Sequence, residues 1–374
     1  MQKTRAFAQN NHTDRLLLGV GAILVLLGLL FLASASIPLS YKQFGAPYYY
    51  LLHQIELGIV PGLILGFAAW RIPLAFFKKW SWVLLLLNIF LLSLIFVPGI
   101  GAGLRGADRW LRFGPISFQP TETLKLTFIL YMASWFSVRN RSSGTFIAFL
   151  FAIAVVASLL LLQPDVSTLG IIFVTAILMY FLAGYPLWHI VLAVGLGAAA
   201  FFVLIKTAAY RYNRIAVFLK SLFLKSGIDS MGLGWQIQQA LVGIGSGGLL
   251  GVGLGMSHQK FGNLPFPMSD SVFAIVAEET GFVGGFLLVA LFLLFLWQAF
   301  NIAKRSQDSF CRLTAFGISF WIALQALVNI AALVGILPLT GIPLPFISYG
   351  GSALITELAA VGLLLNISKQ SSKV

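Results

Sequence analysis

This chain of 374 residues has little charge, little histidine and almost no cysteine. Charged residues make up 9% of the sequence and hydrophobic residues 59%, a composition that excludes an ordinary soluble domain. The one cysteine, Cys311, excludes a disulfide framework and a cysteine-based metal cluster. The four histidines show no ligand spacing such as HExxH, so no metal-ligating residue is predicted. The sequence specifies no cofactor and leaves a divalent cation open.

The net charge is +13, from 24 lysines and arginines against 11 acidic residues. A nucleic-acid-binding domain would gather this charge on one face, whereas here it is spread over many loops. We therefore predict no nucleic-acid partner. The excess is typical of a membrane protein, whose cytoplasmic loops are rich in Lys and Arg and lie beside anionic lipid head groups.

Long apolar runs dominate the chain, and many approach or exceed the ~20 residues that cross a bilayer core. They predict an all-α polytopic membrane protein with a single domain over residues 1–374. The first run is longer than the ~7–15 apolar residues of a secretion signal, so we interpret it as a retained helix after a tail, 1–15. About ten transmembrane helices are expected, over 16–35, 51–70, 80–98, 120–137, 146–162, 166–184, 187–206, 271–303, 313–335 and 351–367.

The loops after the second, fourth and eighth predicted helices are rich in Lys and Arg. Such loops stay in the cytoplasm, so both termini are predicted to be cytoplasmic. A large extracytoplasmic loop, 207–270, then separates the seventh and eighth helices. Arg105, Arg109 and Arg112 fall in a short outer loop against this rule, which indicates an anionic partner on the outer side.

Asp270 is the most informative acidic residue, because it closes a polar stretch just before a long apolar run. A carboxylate at the bilayer centre costs roughly 2.5–3.5 kcal/mol, and less near the interface, so its presence needs a compensating role. One interpretation is an N-cap for the eighth span, where a carboxylate complements the helix macrodipole. The other is catalysis or ion handling.

Other charged groups fall close to predicted helices. Glu122 and Lys125 are three residues apart and therefore neighbours on one helix face, where they form either a structural ion pair or part of a ligand site. Asp165 precedes an apolar run and is expected to cap the next helix. Glu278 and Glu279 point in different directions from a helix that begins near residue 270, so at least one is expected to make a structural contact.

Two irregular segments complete the outer side. Residues 234–239 predict a short amphipathic helix, and the eight glycines from 243 to 262 allow close backbone approach. Three prolines within eight residues prevent a continuous helix over 337–352. Irregular backbone at membrane depth is tolerated only when it packs in protein or lines a watery cavity. We therefore predict a rigid loop at the outer mouth of a cavity.

These segments resemble the SEDS family of FtsW, RodA and SpoVE over nearly the whole chain. The matching patterns, in chain order, are GAxRW at 106–110, SFQPxExxK at 117–125, QPD at 163–165, the glycine-rich loop at 243–260, DFIFAxxxEE at 270–279 and LPxTGxPLPFxSYGGS at 337–352. The pattern of the first helix favours the FtsW branch over the RodA branch. Phe266 departs from the family, which commonly has Glu there.

The resemblance implies a peptidoglycan glycosyltransferase that joins lipid II units on the outer face of the bacterial cytoplasmic membrane. It implies Asp270 as the catalytic base. It implies as partners lipid II, a class B penicillin-binding transpeptidase and membrane proteins of the division or elongation machinery. A lipid II flippase and a scaffold that only recruits a transpeptidase are the alternative functions.

The resemblance also directs attention to polar residues that would serve this reaction. A departing diphosphate needs cations, and the predicted substrate-binding residues are Arg109, Glu122, Lys125, Arg211, Arg214, Lys260 and Ser348. Asp165, Glu278 and Glu279 are expected to support the site structurally.

Overall fold

The computed structural model describes residues 14–99, 101–104, 107–114, 116–138, 143–207, 209–223 and 233–371. The helices are α1 (Arg15–Phe44), α2 (Tyr49–Gln54), α3 (Val60–Arg71), α4 (Leu74–Leu94), α5 (Pro120–Val138), α6 (Ser143–Leu162), α7 (Val166–Leu182), α8 (Leu187–Thr207), α9 (Ala209–Phe223), α10 (Leu233–Ser246), α11 (Val272–Arg305), α12 (Ser309–Leu333) and α13 (Gly351–Ser371). A π-helical turn (Ile55–Ile59) joins α2 to α3, and a 3-10 turn (Gln259–Phe261) follows α10.

Within the described residues, a helix stands at each of the ten predicted segments, with α2 and α3 together forming the second. Eight of these helices are long and apolar enough to cross a membrane. The other two are α7, which is shorter, and α5, whose polar residues lower its hydropathy. The protein is therefore a helical multi-pass membrane protein, and the count of ten crossings stays a prediction.

A small sheet departs from the all-α prediction. Strands β1 (Gly101–Leu104), β2 (Ala107–Phe113) and β3 (Ile116–Phe118) pair in order and antiparallel, with an irregular register between Ala102 and Gly103. Leu111 of β2 is buried while its neighbour Arg112 is exposed. Strands β1 and β3 are too short for alternation to be read from sequence, and β2 does not alternate apolar and polar residues. Pairing gives the backbone groups that face a neighbouring strand their partners.

The long segment between α8 and α11 is more regular than a loop. It contains α9, α10 and the 3-10 turn, and the predicted amphipathic helix at 234–239 is confirmed as part of α10. Residues 208 and 224–232 of the predicted loop 207–270, and 1–13 of the predicted tail, lie outside the described residues.

Hydrogen bonds join helix α1 to its neighbours at both ends of the bundle. At one end, Gln298 of α11 donates to the Asp14 carboxylate that caps α1, and the Asp14 amide donates to Ser368 Oγ at 3.2 Å. At the other end, Ser34 of α1 donates to Glu279 Oε1 at 2.5 Å. Helix α1 therefore runs alongside α11 from Asp14 to Ser34.

Helix α11 is broken at Gly281, whose φ of 68° and ψ of −166° are not helical. Residues 247–256, called here the glycine-rich segment, fill the break. The amides of Val252 and Gly253 donate to the carbonyls of Glu278 and Glu279 at 3.0 and 3.1 Å. The amides after the break, in turn, donate to carbonyls of the segment: Phe282 to Gly248 at 2.9 Å and Val283 to Leu249 at 3.1 Å.

Because of the break, we expect two glycines of α11 to differ in how well they tolerate substitution by alanine. A Cβ added at Gly281 would lie 2.3 Å from the Gly251 nitrogen, and its positive φ disfavours an L-residue by roughly 1–2 kcal/mol. We expect Gly281→Ala to lower the thermal unfolding temperature in detergent. The control is Gly285→Ala, where the nearest atom to the new Cβ is 3.7 Å away and helix propensity improves. Equal shifts in the two variants would contradict this account of the break.

Candidate functional site around Asp270

Asp270 lies two residues before α11, at the end of the bundle opposite Asp14. The N-cap of α11 is Ser271, which makes no side-chain capping bond, so the interpretation of Asp270 as the cap is wrong. Its half-buried carboxylate accepts from Ser269 Oγ at 3.0 Å and makes a long contact of 3.5 Å with Gln236 Nε2. Gly341 faces it from residues 337–350, called here the proline-containing loop, since a Cβ there would lie 3.8 Å from Asp270 Oδ2.

Asn329 of α12 forms a hydrogen bond to the backbone of Asp270. Its buried side-chain amide donates to the Asp270 carbonyl at 2.8 Å and to the Ile342 carbonyl at 2.7 Å. One amide therefore joins the chain before α11 to the proline-containing loop.

Ser348 makes a second connection between these two segments. Its hydroxyl donates to the Ser269 carbonyl at 2.5 Å and accepts from the Leu344 amide at 2.8 Å, while the Tyr349 amide donates to Met268 O at 2.8 Å. Both hydrogen-bonding functions of this buried hydroxyl are thus used inside the protein. The geometry favours a positioning role for Ser348 over the predicted contact with substrate.

Tyr349 links the same loop to α2. Its hydroxyl lies 2.8 Å from His53 Nδ1. Burial, with a smaller contribution from Tyr50 and Tyr49, raises the pKa of Tyr349 above its ordinary value, so the hydroxyl stays protonated and can donate to His53.

Two further buried side chains, Gln325 and Glu357, anchor the proline-containing loop from within the bundle. Gln325 Nε2 donates to the Pro343 carbonyl at 3.0 Å, and its Oε1 accepts from Lys125 Nζ at 2.7 Å. Lys125 also pairs with Glu122 at 2.8 Å, which confirms the ion pair that the spacing predicts. Glu357 accepts from the Phe346 amide at 2.7 Å. Glu122 and Lys125 are 3% and 2% exposed, so this pair belongs to the scaffold beneath the loop and not to an open ligand site.

Lys260 is enclosed in a second buried cluster. Its Nζ donates to Glu279 Oε1 at 3.0 Å, to Ser34 Oγ at 3.0 Å and to the Gly255 carbonyl at 2.5 Å, which uses all three of its donors. The residue is 5% exposed. This geometry does not agree with the predicted substrate contact of Lys260 and favours a structural ion pair.

Glu278 and Glu279 are both buried and both make structural contacts, as the helix geometry predicts for at least one of them. Glu278 accepts from the Ser257 hydroxyl, from the His258 amide at 3.0 Å and from the Gln259 amide at 3.3 Å. The two carboxylates therefore hold the chain that follows the glycine-rich segment against α11.

Arg109 and Asp165 meet at the QPD turn. Arg109 donates to the carbonyls of Gln163 and Pro164 at 3.0 and 2.5 Å. Asp165 caps α7 by accepting from the Thr168 amide at 3.2 Å, which confirms the predicted cap. These contacts give Arg109 a structural role in addition to any contact with substrate.

Arg214 of α9 is joined to the loop that faces Asp270. Its Nη1 donates to the Leu339 carbonyl at 3.2 Å, two residues before Gly341. Arg211 lies on the same helix, and its side chain is outside the described residues. Of the cations predicted to bind substrate, Arg214 is the one whose described contacts bring it to this loop.

Two residues of the site were not predicted. Gln236 sits on the amphipathic helix α10, and Asn329 interrupts the apolar run of α12. An amide inside a membrane span is a recognisable signal, because its burial requires hydrogen-bond partners. What the sequence does not show is which carbonyls it reaches.

Comparison with known proteins decides the family. A family model described as "Cell cycle protein", of FtsW, RodA and SpoVE, matches residues 14–373. The chain belongs to this family. It is 39% identical to the probable peptidoglycan glycosyltransferase FtsW of Nitrosococcus halophilus over 96% of this chain and 92% of that protein. It is 37% identical to the stage V sporulation protein E of Bacillus subtilis, over 96% and 97%.

Solved structures of the family share the fold. A chain of a peptidoglycan synthase complex that coordinates polymerization and crosslinking matches with a TM-score of 0.78 at 28% identity, over 96% of this chain and 98% of that chain. The rod shape determining protein RodA of Thermus thermophilus matches with a TM-score of 0.69 at 28% identity, over 96% and 97%.

The buried cluster predicts a large cost for separating Lys260 from Glu279. Breaking a buried pair leaves an uncompensated charge and costs about 3–5 kcal/mol, whereas an exposed pair contributes about 0–1 kcal/mol. We expect Lys260→Met to destabilise the protein strongly in thermal unfolding, and Lys260→Met with Glu279→Gln to recover part of the loss. The control is Lys78→Met, which removes the 3.7 Å pair with Asp308, a pair that is largely open to solvent on the Asp308 side and partly so at Lys78. Similar losses from the two single variants would show that the buried pair is not structural.

Proposed function

We propose that this protein is a peptidoglycan glycosyltransferase that polymerises lipid II on the outer face of the bacterial cytoplasmic membrane. The observation that carries the proposal is the position of Asp270. Its half-buried carboxylate accepts from Ser269 and contacts Gln236 of the amphipathic helix α10, while Asn329 of α12 holds the backbone carbonyl of the same residue. The curated relatives bearing the name of this activity support it.

In the proposed reaction, Asp270 removes the proton from the 4-hydroxyl of the acceptor sugar. The hydroxyl oxygen forms a bond to the anomeric carbon of the donor, and the bond from that carbon to the diphosphate breaks. Attack from the face opposite the leaving group inverts the anomeric centre. Ser269 and Gln236 orient the carboxylate, and a positioned general base accelerates such a step by about 10²–10⁴-fold.

Negative charge accumulates on the departing undecaprenyl diphosphate, and cations near it stabilise the transition state. Arg214 is our first candidate, because it is tied to the loop that faces Asp270. Arg211 of the same helix is the second, and Arg109 contributes from the neighbouring sheet. Lys125 and Lys260 act in this scheme through the scaffold. A divalent cation on the diphosphate stays open.

The partners and orientation follow from the same proposal. Both termini lie in the cytoplasm, in agreement with the basic residues of the loops. A class B penicillin-binding transpeptidase joins the protein, as do membrane proteins of the division or elongation machinery. The structural similarity to a chain of a peptidoglycan synthase complex supports a transpeptidase partner, and the curated relatives named FtsW favour the division branch.

Removal of the base is the first test of this function. We expect purified Asp270→Asn to fold and to bind lipid II like the wild type, but to form polymer about 10²–10⁴-fold more slowly. The control is Asp308→Asn, which changes the cap of α12 at the other end of the bundle and keeps a residue that caps well. Polymer is read on gels at several times after adding lipid II.

Two results would count against the proposal. Wild-type polymerisation by Asp270→Asn would remove the base from the mechanism. Transfer of labelled lipid II across liposome membranes without polymer, under conditions that support other polymerases, would indicate a flippase. A scaffold is excluded if Asp270→Asn stops glycan synthesis while the complex with the transpeptidase stays intact.

Asn329 gives a second, independent prediction. Asn329→Ala removes the amide that holds the Asp270 carbonyl, and small displacements of a reacting group can cost up to about 10²-fold in rate. We expect kcat for polymerisation to fall at least about tenfold on this scale while KM changes little. The matched control is Asn366→Ala, because Asn366 also donates to two carbonyls, of Ala69 and Ile72, but at the opposite end of the bundle. Equal losses of kcat in both variants would show that Asn329 contributes only to the stability of the fold and does not position Asp270.

A further inference from the structure

The glycine-rich segment exposes a cluster of large apolar side chains. Leu249 and Leu250 are 73% and 80% exposed, and Leu254 and Met256 are also largely open. Turns joining two outer helices are ordinarily polar, and contiguous exposed apolar surface marks an interaction site. The question is which apolar medium this cluster meets.

The height of the cluster relative to the membrane follows from α1. Its cap at Asp14 lies beside Gln298 and Ser368, a short distance before the basic end of α11 at Lys304 and Arg305. Ser34 stands 19 residues after Arg15, which is about 28 Å along a helix. This length is close to the ~30 Å thickness of a hydrocarbon core. Ser34 therefore lies near the outer edge of the core.

The hydrogen bond of Ser34 to α11 gives the positions of α11 and of the glycine-rich segment relative to the membrane. Ser34 donates to Glu279, so Glu279 lies at the same edge. The segment is bonded to the backbone of α11 on both sides of Gly281, between Glu278 and Val283. Its apolar tip thus stands at the edge of the hydrocarbon and cannot rise far above it while those four bonds are intact.

The face of α11 below the break is also open and apolar. Phe282, Val283 and Phe286 are exposed on it. The 24 residues after the break, 282–305, suffice to cross a bilayer without the turns that precede Gly281. The leucines of the segment therefore continue a surface that faces lipid.

We propose that the glycine-rich segment inserts Leu249, Leu250, Leu254 and Met256 into the acyl chains of the outer leaflet. Burial in lipid removes the apolar side chains from water, and the segment's hydrogen bonds to α11 satisfy backbone groups that lipid cannot. The insertion fixes the height of the first turns of α11, which begin two residues after Asp270. If the proposed function holds, this keeps the carboxylate near the level of a lipid-linked diphosphate.

Site-directed spin labelling tests the insertion directly and does not depend on activity. The chain has one cysteine, which is buried, so Cys311→Ala gives a clean background. Leu250→Cys is labelled with a nitroxide in vesicles of phosphatidylethanolamine and phosphatidylglycerol. Accessibility to oxygen, which concentrates in the bilayer, is compared with accessibility to a water-soluble nickel chelate.

Two labelled positions on the same chain calibrate the measurement. Phe286→Cys, on the exposed face of α11, reports hydrocarbon, and Asn263→Cys, exposed after the 3-10 turn, reports water. We expect the oxygen-to-nickel ratio at residue 250 to match that at 286 and to exceed that at 263 several-fold. Should Leu250→Cys fail to fold, Leu254→Cys replaces it.

Each other outcome overturns the proposal. A ratio like that of residue 263 would place the segment in water. Low accessibility to both reagents would show that protein covers it, from this chain or from a second copy. Failure of glycan synthesis would leave the spin-label result unaffected, so the two proposals can fail separately.

Discussion

The structure depends on one constraint: backbone polar groups at membrane depth need partners inside the protein. Two irregular segments meet this requirement in different ways. At the break in α11 at Gly281, backbone groups of the glycine-rich segment form hydrogen bonds with the backbone groups of α11 that the break leaves unpaired. The proline-containing loop is instead held by side chains of the neighbouring helices, among them Gln325, Asn329 and Glu357.

These anchors engage four charged residues in two structural ion pairs inside the bundle. Glu122 with Lys125, and Glu279 with Lys260, neutralise one another inside the protein and hold the segments that surround Asp270. Asp270 differs because its carboxylate is half-buried while Asn329 holds its backbone carbonyl. A rigid backbone with an accessible carboxylate is what a general base requires, since its position must be set before substrate arrives.

Much of this arrangement could be predicted from the sequence. Apolar runs identified the ten helical segments, the spacing of Glu122 and Lys125 gave their ion pair, and Asp165 was recognised as a cap. These features depend on local periodicity. Motif resemblance identified the family, which the family model over residues 14–373 confirms.

The features that could not be predicted are long-range contacts. Asn329 reaches Asp270 across 59 positions of sequence, and no local pattern encodes that distance. Composition indicates that a buried lysine needs an anionic partner. It does not show that the partner of Lys260 is Glu279 rather than a phosphate of the substrate. The small sheet was missed because β1 and β3 are very short and β2 does not alternate apolar and polar residues.

The central claim is that Asp270 acts on an acceptor hydroxyl. A cryo-electron microscopy structure with a non-hydrolysable lipid II donor analogue and a glycan acceptor tests it most directly. The account predicts an Asp270 carboxylate oxygen within about 2.6–3.2 Å of the acceptor 4-hydroxyl, or joined to it by one water. An acceptor bound in line with the donor, with its hydroxyl on another side chain and Asp270 facing only protein, would contradict it.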